Sequence, residues 1–165
     1  MIVMIREYKD KKAEISPSSY IDENSSIVGD VVLEENTSVW PFASIRGDRG
    51  KIFIGKNTNV QDCAVIHNPS YIGEGVSIGH SAIVHGAKIR DNVLIGMGAI
   101  ILDNADIGEN CIVGAGALVT GNKKFEANTL ILGSPAKAIR KLTEEEIESI
   151  RENAREYNEL RLDYK

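Results

Sequence analysis

Branched aliphatic residues recur at every sixth position along most of the chain. The series starts at Ile15, resumes at Ile54 after a three-residue excess, and resumes at Ile89 after one missing residue. The eighteen positions, here called the leaders, are all Ile, Leu or Val: Ile15, Ile21, Ile27, Leu33, Val39, Ile45, Ile54, Val60, Ile66, Ile72, Ile78, Val84, Ile89, Ile95, Ile101, Ile107, Val113 and Val119. This period is neither the 3.6 of a helix nor the simple alternation of a sheet strand.

A second regularity accompanies the leaders. The residue four places after each leader is usually small, as in Ala43, Ala64, Ala82 and Ala99, so two positions in six are predicted to face a crowded interior. Gly and Asn recur between the leaders, which indicates short strands broken by turns. Units of this kind stack only on their neighbours, and the sequence therefore predicts an all-β solenoid.

The pattern changes at Thr143. Thr143 and Glu146 form a capping box, and apolar residues then recur at intervals of three and four, as on one face of a helix. The predicted stripe comprises Ile147, Ile150, Ala154, Tyr157, Leu160 and Tyr164. We expect a β-solenoid over residues 1–140 and a C-terminal α-helix within residues 141–165 that packs alongside it, together forming a single domain.

Composition and charge exclude several classes of protein. The chain has 165 residues and a net charge of −5, which argues against a nucleic-acid-binding face. We find no membrane-spanning run of about 18 apolar residues, and the N-terminal apolar run lacks the pattern of a signal peptide. Cys63 and Cys111 do not suggest a disulfide framework. A cytoplasmic location is the expectation.

The repeat resembles the hexapeptide repeat of left-handed parallel β-helices, over roughly residues 10–140. In that family three hexads make one coil of a triangular prism. The resemblance therefore implies that residues separated by three hexads lie one above the other on adjacent coils.

All three histidines lie between Val60 and Gly86. His67 and His85 are separated by three hexads, and each directly follows a leader, so coils of that length would stack them. Arg46 also follows a leader and joins the same column once the three-residue excess is counted. Adjacent strands lie about 4.8 Å apart, which lets two imidazoles reach one metal ion at about 2.0–2.1 Å.

His80 belongs to a different column, three hexads beyond Asp62 and on another side of the prism. Within one chain it would have to reach round a corner to join the other two histidines. A cyclic homotrimer avoids this difficulty, because the Asp62/His80 side of one chain can face the His67/His85 side of the next. The metal site would then lie at each subunit interface.

The motifs around these columns resemble those of the gamma-class carbonic anhydrases. They are Arg46-Gly47-Asp48, Asn59-Val60-Gln61-Asp62, His67, Gly79-His80 and Val84-His85-Gly86. The resemblance implies reversible hydration of CO2 to bicarbonate by a metal-bound hydroxide. It also implies three ligands to one divalent ion per interface, His67 and His85 from one subunit and His80 from its neighbour. Zinc is the expected ion, with Fe(II) or Co as alternatives.

The same resemblance implies roles for the remaining motif residues. Gln61 would orient the bound water or product, while Arg46 and Asp48 would brace the subunit interface. Asn59 and Asp62 would fix the geometry of the ligands, and Tyr157 would correspond to a tyrosine near the substrate pocket.

Two departures from the best-studied members affect proton transfer. Those members carry a long acidic loop between the first two histidines and an acidic residue after the Arg-Gly-Asp triplet. Here the segment 68–79 is short, Glu74 occupies an ordinary repeat position, and Arg49 follows the triplet. The resemblance therefore does not extend to fast proton export, and slow turnover is expected.

Two other functions use the same scaffold. A hexapeptide acyltransferase would bind an acyl-CoA between subunits and would need one histidine as a general base, with no set of metal ligands. A non-catalytic trimeric binding protein could retain a metal for structure. The spacing of the histidines and the two motifs, Arg-Gly-Asp and Asn-Val-Gln-Asp, favour the anhydrase.

Overall fold

A left-handed parallel β-helix of about seven coils, closed by one C-terminal helix, makes up the computed structural model, which describes residues 4–164. The solenoid class expected from the sequence is confirmed. The ends of the expected units at residues 1–3 and 165 lie outside the described part of the chain.

The strands are short because each occupies only one side of the prism, except where β4 and β6 run past a corner. In chain order they are β1 (Met4–Arg6), β2 (Glu14–Ile15), β3 (Tyr20–Ile21), β4 (Ser26–Leu33), β5 (Ser38–Val39), β6 (Ser44–Ile54), β7 (Asn59–Val60), β8 (Val65–His67), β9 (Ser70–Ile72), β10 (Ser77–Ile78), β11 (Ile83–His85), β12 (Lys88–Ile89), β13 (Leu94–Ile95), β14 (Ile100–Ile101), β15 (Asp106–Ile107), β16 (Ile112–Val113), β17 (Leu118–Val119), β18 (Lys124–Phe125), β19 (Thr129–Gly133) and β20 (Ala136–Lys141).

Parallel pairing of these strands forms the three faces of the prism. The helix-covered face contains β3, β5, β7, β10, β13, β16, β19 and β20, in which only the last pair is antiparallel. The histidine face contains the start of β6 with β8, β11, β14 and β17. The third face contains the end of β6 with β9, β12, β15 and β18.

The leaders fill the interior of the prism. Every leader from Ile27 to Val119 is at most 2% exposed, whereas Ile15 and Ile21 at the open end are half-buried. Cys111 occupies a small interior position and is fully buried, as predicted. Branched aliphatics at these positions exclude water from a narrow core, and their burial supplies the main driving force for stacking the coils.

Asparagines build the corner between the third face and the helix-covered face. Five of them have a positive φ between 52 and 59° and recur along this corner: Asn36, Asn57, Asn92, Asn110 and Asn128. The left-handed conformation is unfavourable for most residues, and Asn adopts it more readily than they do. Their side chains also bond to each other, as from Asn36 to Asn57 at 3.2 Å.

The helix α1 (Glu144–Asp163) begins with the predicted capping box of Thr143 and Glu146. Ile147 and Ile150 pack on the helix-covered face against a column of apolar residues. The predicted stripe is wrong at its end: Leu160 is 41% exposed, and Arg161 is buried in its place. The helical period explains the difference. At 3.6 residues per turn, the residue four positions after Tyr157 lies on the same face of the helix, and that residue is Arg161.

Tyr164, the last residue of the predicted stripe, lies beyond the helix as its C-cap and is 58% exposed. Its ring still contacts the rings of Tyr20 and Trp40, with centroids 5.8 and 5.2 Å away.

Within residues 4–164, no helix combines the length and hydropathy that a membrane crossing requires.

Glu146 links the helix to β20 and gives a pH-dependent prediction. Hydrogen bonds from Arg140 and from the backbone of Thr143 lower the pKa of Glu146 to about 2. Its stabilising contribution is therefore complete above the ordinary pKa of 4.5 and is lost as the pH falls toward about 2. We expect Glu146→Gln to lower the melting temperature at neutral pH. The difference from wild type should shrink as the pH falls from 4.5 toward about 2.

Thermal unfolding of both proteins across the acid range measures this effect. Glu145→Gln, in the same helical turn, is the control for loss of negative charge near the helix N-terminus. A difference between wild type and Glu146→Gln that stays constant with pH would contradict the ionic origin of the effect.

Candidate metal centre

The histidine face aligns Arg46, His67 and His85 in one column. Strand pairing places Arg46 opposite His67, and His67 opposite His85. The predicted stacking of these three residues is therefore present. Nδ1 of His67 lies 3.2 Å from Nε2 of His85, and the two ring centroids are 5.1 Å apart.

The other nitrogen of each ring contacts a carboxylate. Nε2 of His67 lies 3.0 Å from Oδ1 of Asp48, and Nδ1 of His85 lies 3.0 Å from Oδ2 of Asp103. An ionised carboxylate only accepts hydrogen bonds, so the contacting nitrogen of each ring is the donor. In the neutral rings, the two nitrogens that face each other then carry lone pairs.

This donor set fits a divalent cation. Two lone pairs opposed at 3.2 Å repel each other unless a cation lies between them. Bonds of about 2.0–2.1 Å to a tetrahedral ion would place two ligand nitrogens about 3.3 Å apart. The separation of the facing nitrogens is therefore that of two ligands on one ion.

The three-residue excess found in the sequence delivers Asp48 to this column. Pairing between β4 and β6 slips there, because Gly29 faces Gly47 whereas Val31 faces Ile52. The extra residues form a bulge in the long strand β6, and Asp48 projects from it toward His67. A feature that first appeared as a break in the repeat thus positions a carboxylate beside a candidate ligand.

Arg46 holds the same carboxylate from the other side through an ion pair with Asp48. Partial burial alone would raise the pKa of the Asp48 carboxyl. The hydrogen bonds from Arg46 and His67 outweigh that effect and hold this pKa below its usual value. Asp48 is therefore ionised at neutral pH and can accept a hydrogen bond from Nε2 of His67.

His80 lies on the turn between the helix-covered face and the histidine face, here called the His80 corner, which includes Asp62 one coil earlier. Nδ1 of His80 is 3.0 Å from Oδ2 of Asp62. Nε2 is 3.5 Å from the hydroxyl of Tyr157 on α1. Tyr157 also packs edge-on against Trp40 at 5.4 Å, and burial raises the pKa of its phenol.

Gln61 and Asn59 form a buried polar chain beside this corner. Asn59 is 1% exposed and Gln61 is 5% exposed. Nε2 of Gln61 donates to Oδ1 of Asn59 at 3.0 Å, and Nδ2 of Asn59 donates to Oγ of Ser77 at 2.9 Å. The bonds fix the orientation of both amides, so the position of Gln61 is set before any ligand arrives.

One chain by itself does not assemble three ligands. Over residues 4–164, no cluster of three or more His, Cys, Asp or Glu side chains is placed to hold a metal ion. His67 and His85 lie together on the histidine face, and His80 lies at the other edge of that face. The column prediction had already separated them in this way.

Apolar residues that are exposed or half-buried lie in both regions that carry histidines. Val65, Ile83, Ile100 and Leu118 stack in register on the outside of the histidine face, where Val65 is 36% exposed. At the His80 corner, Phe42 is 65% exposed and Met97 is 60% exposed. These residues are here called the apolar ladder and the apolar corner pair, respectively.

Asp103 is the residue at this centre that the sequence analysis missed. Counting would not have identified it, because the residue missing before Ile89 shortens this coil to 17 residues. Val84 therefore pairs with Ile101, and the column rule points from His85 to Leu102 instead. A groove elsewhere, on the third face, has a volume of about 720 Å³ and is lined by Lys51, Lys88 and Lys124 with Phe53 and Tyr71 among its other residues.

Comparison with known proteins places this geometry in context. The family model described as bacterial transferase hexapeptide (six repeats) matches residues 86–121. The probable carbonic anhydrase of Methanocaldococcus jannaschii is 55% identical, over 88% of this chain and 94% of the relative. Gamma carbonic anhydrase 1, mitochondrial, of Arabidopsis thaliana is 35% identical, over 92% of this chain and 58% of the relative.

A solved structure shows the same fold over the whole chain. The hexapeptide transferase family protein from Anaplasma phagocytophilum superposes with a TM-score of 0.97 at 36% identity, and the match covers 99% of both chains.

Proposed function

Because this chain belongs to the gamma-class carbonic anhydrase family, we propose that it hydrates CO2 reversibly to bicarbonate. The reaction takes place at a divalent metal ion held between two subunits of a homotrimer. His67 and His85 of one subunit and His80 of the next supply the three ligands.

The pair of facing nitrogens on His67 and His85 is the observation that carries the proposal. Each ring is oriented by its own carboxylate, and the remaining nitrogens are separated as two ligands of one ion would be. At His80, Asp62 likewise contacts Nδ1, so Nε2 carries the lone pair. The Tyr157 hydroxyl 3.5 Å from Nε2 would have to release this nitrogen when the ion binds. Three such imidazoles with an open fourth position are typical of catalytic zinc sites.

The exposed apolar residues support the homotrimer. The apolar ladder lies on the same face as His67 and His85 and is partly open to solvent. At the His80 corner, Met97 lies one coil after His80 and Phe42 lies two coils before it, and both side chains are exposed. Apolar side chains left open on a surface in this way mark interaction sites. Docking the apolar ladder of one chain on the apolar corner pair of the next would cover both surfaces. It would also bring the His80 of one chain to the His67 and His85 of its neighbour, as a closed cyclic assembly requires.

The residues around the ion divide the remaining tasks. A divalent ion with an open position lowers the pKa of water to near neutrality and so supplies the nucleophile for CO2. Gln61, fixed by Asn59, orients the reacting oxygen or the product through its amide. Tyr157 borders the substrate pocket next to His80, and Arg46 with Asp48 both orients His67 and braces the interface. Zinc suits this all-imidazole set, and Fe(II) or Co are alternatives.

Proton transfer in this chain differs from that of relatives with an acidic loop. Residues 68–79 follow an ordinary coil, and Glu74 accepts a hydrogen bond from Asn57 at the asparagine corner. That corner is not the one that carries His67 and His85. Buffer must therefore remove the proton, and turnover at saturating CO2 is expected to rise with buffer concentration.

Stopped-flow CO2 hydration tests the function on protein purified without oxygen and loaded separately with zinc and Fe(II). We expect activity with at least one metal and a kcat that increases with buffer concentration. Glu74→Gln is the matched control and should leave both quantities unchanged. Full metal occupancy without hydration would overturn the proposal and would favour a binding protein or an acyltransferase. Titration of the lysine-lined groove with CoA separates those two.

A cytoplasmic location completes the proposal. Cys63 is exposed and Cys111 is buried, and both are free thiols. Unpaired cysteines are typical of proteins kept in a reducing compartment. The free thiols are the observation that supports this location.

A further inference from the structure

Asp103 is the second residue after β14 and lies one coil above His85. Both of its oxygens approach Nδ1 of His85, Oδ2 at 3.0 Å and Oδ1 at 3.1 Å. The carboxylate therefore faces the side of the ring opposite to the nitrogen that points at His67. This contact joins two successive coils at the corner between the histidine face and the third face.

Asn68 tethers the carboxylate from two coils below, on the coil that carries His67. Its Nδ2 donates to Oδ1 of Asp103 at 3.0 Å, across 35 residues of sequence. Hydrogen bonds from Asn68 and then from His85 hold the pKa of Asp103 below its usual value, although partial burial opposes them. Asp103 is thus an ionised acceptor with a fixed direction.

Gly86 leaves the space that the carboxylate needs. A Cβ atom on Gly86 would lie 2.2 Å from Oδ1 of Asp103, a distance at which one of the two must move. The backbone around the contact is held by bonds from Asn104 to Gly86 at 2.7 Å and from Asn122 to Asp103 at 2.9 Å. The clamp of Asn68, His85 and Asp103 therefore depends on a glycine directly after the histidine.

A purely stabilising ion pair would be a poor explanation for this clamp. The side chain of Asp103 is 51% exposed, and exposed ion pairs contribute little to stability. Its effect on the imidazole is more specific, because accepting from Nδ1 selects one tautomer and one ring orientation. Asp48 selects a tautomer of His67 in the same way through Nε2, and Asp62 selects one of His80 through Nδ1.

We propose that Asp103 is a positioning residue of the metal centre, which keeps the His85 proton on Nδ1 and leaves Nε2 free to bind the ion. The inference rests on the proposed metal-dependent function and extends it to a residue outside the three ligands. Loss of such a partner typically lowers metal affinity by about 10–100-fold.

Cobalt affinity provides the first test. Chelator competition with Co(II) on Asp103→Ala should show an affinity about 10–100-fold weaker than wild type, with a changed visible spectrum from the altered ligand field. Asp106→Ala is the matched control, since Asp106 lies three residues later and pairs with Arg90 instead. Asp103→Glu should recover part of the affinity. Wild-type affinity and spectrum in Asp103→Ala would overturn the inference.

The tautomer of His85 provides a second test that needs no metal. The chain has three histidines, so long-range nitrogen spectra of ¹⁵N-histidine protein assign each ring. We expect the proton of His85 on Nδ1 in wild type and a mixture of tautomers in Asp103→Ala. An unchanged tautomer would overturn the role of Asp103. Failure of wild type to bind any metal would instead overturn the proposed function, and the tautomer measurement would still decide the role of Asp103.

Discussion

His80→Ala protein is expected to bind no catalytic metal and to hydrate no CO2, yet to regain activity when mixed with a second inactive variant. That second variant, His67→Ala/His85→Ala, lacks the other two ligands and retains His80. In a mixed trimer, the interface that joins His67 and His85 of the first variant to His80 of the second is complete. Each mixed trimer contains one such interface.

The size of the recovery follows from this geometry. Random mixing of equal amounts gives about three quarters mixed trimers, each with one complete interface in three, so about a quarter of wild-type sites return. The experiment refolds the two chains together and measures both bound metal and CO2 hydration. Each variant refolded alone is the control. Activity in either variant alone, or none in a mixture shown to contain mixed trimers, would contradict a site shared between subunits.

Phe42→Asn is expected to strengthen the fold of one chain while it weakens assembly. Phe42 has a φ of 60° at the His80 corner, a backbone conformation that is costly for a bulky residue, and its side chain is 65% exposed. Asn tolerates that conformation, and relief of the strain is worth about 1 kcal/mol. The proposed homotrimer would explain an exposed aromatic at this position, because it would bury Phe42 against a second copy of the chain.

Assembly should respond strongly because the contact occurs three times in a trimer. Truncating a buried aromatic at the centre of an interface costs about 2–4 kcal/mol per interface. Analytical ultracentrifugation should show dissociation at concentrations where wild type remains trimeric. Thermal unfolding at the lowest concentration should show the more stable monomer. Tyr71→Asn, which replaces an exposed aromatic on the third face, should leave the trimer intact and should lower the stability of the chain, because the Tyr71 ring stacks on Phe53. A trimeric Phe42→Asn protein would remove Phe42 from the interface.

Most of the prism could be predicted from the sequence because its physics repeats every six residues. A leader such as Ile66 must point inward, and this fixes the side of the sheet on which His67 lies. A coil of three hexads then determines which residues stack. With the coil length of three hexads that the resemblance implies, the columns of His67 with His85 and of Asp62 with His80 followed from counting.

Features that depend on side-chain direction or helix rotation could not be predicted in this way. Leu160 and Arg161 follow Tyr157 by three and four residues, so a helical pattern allows either of them on the buried face. The way in which α1 docks on the prism decides that Arg161 is the buried one. The contact of Tyr157 with His80 likewise depends on how the helix docks. Asp103 was outside the reach of the column rule, because the coil after His85 has 17 residues and the rule points to Leu102. Only the distance between Asp103 and His85 in the structure identifies it.

Burial of Arg161 has a consequence for the order in which the chain folds. Its guanidinium donates to the carbonyl of Ser18 and to the side chain of Asn36, at 2.8 Å in each case. Those partners precede it by 143 and 125 residues, so a segment synthesised much later seals the coils that contain Ser18 and Asn36. A solenoid can grow from coil to coil as it leaves the ribosome, but here these two coils stay unsealed until Arg161 has been synthesised.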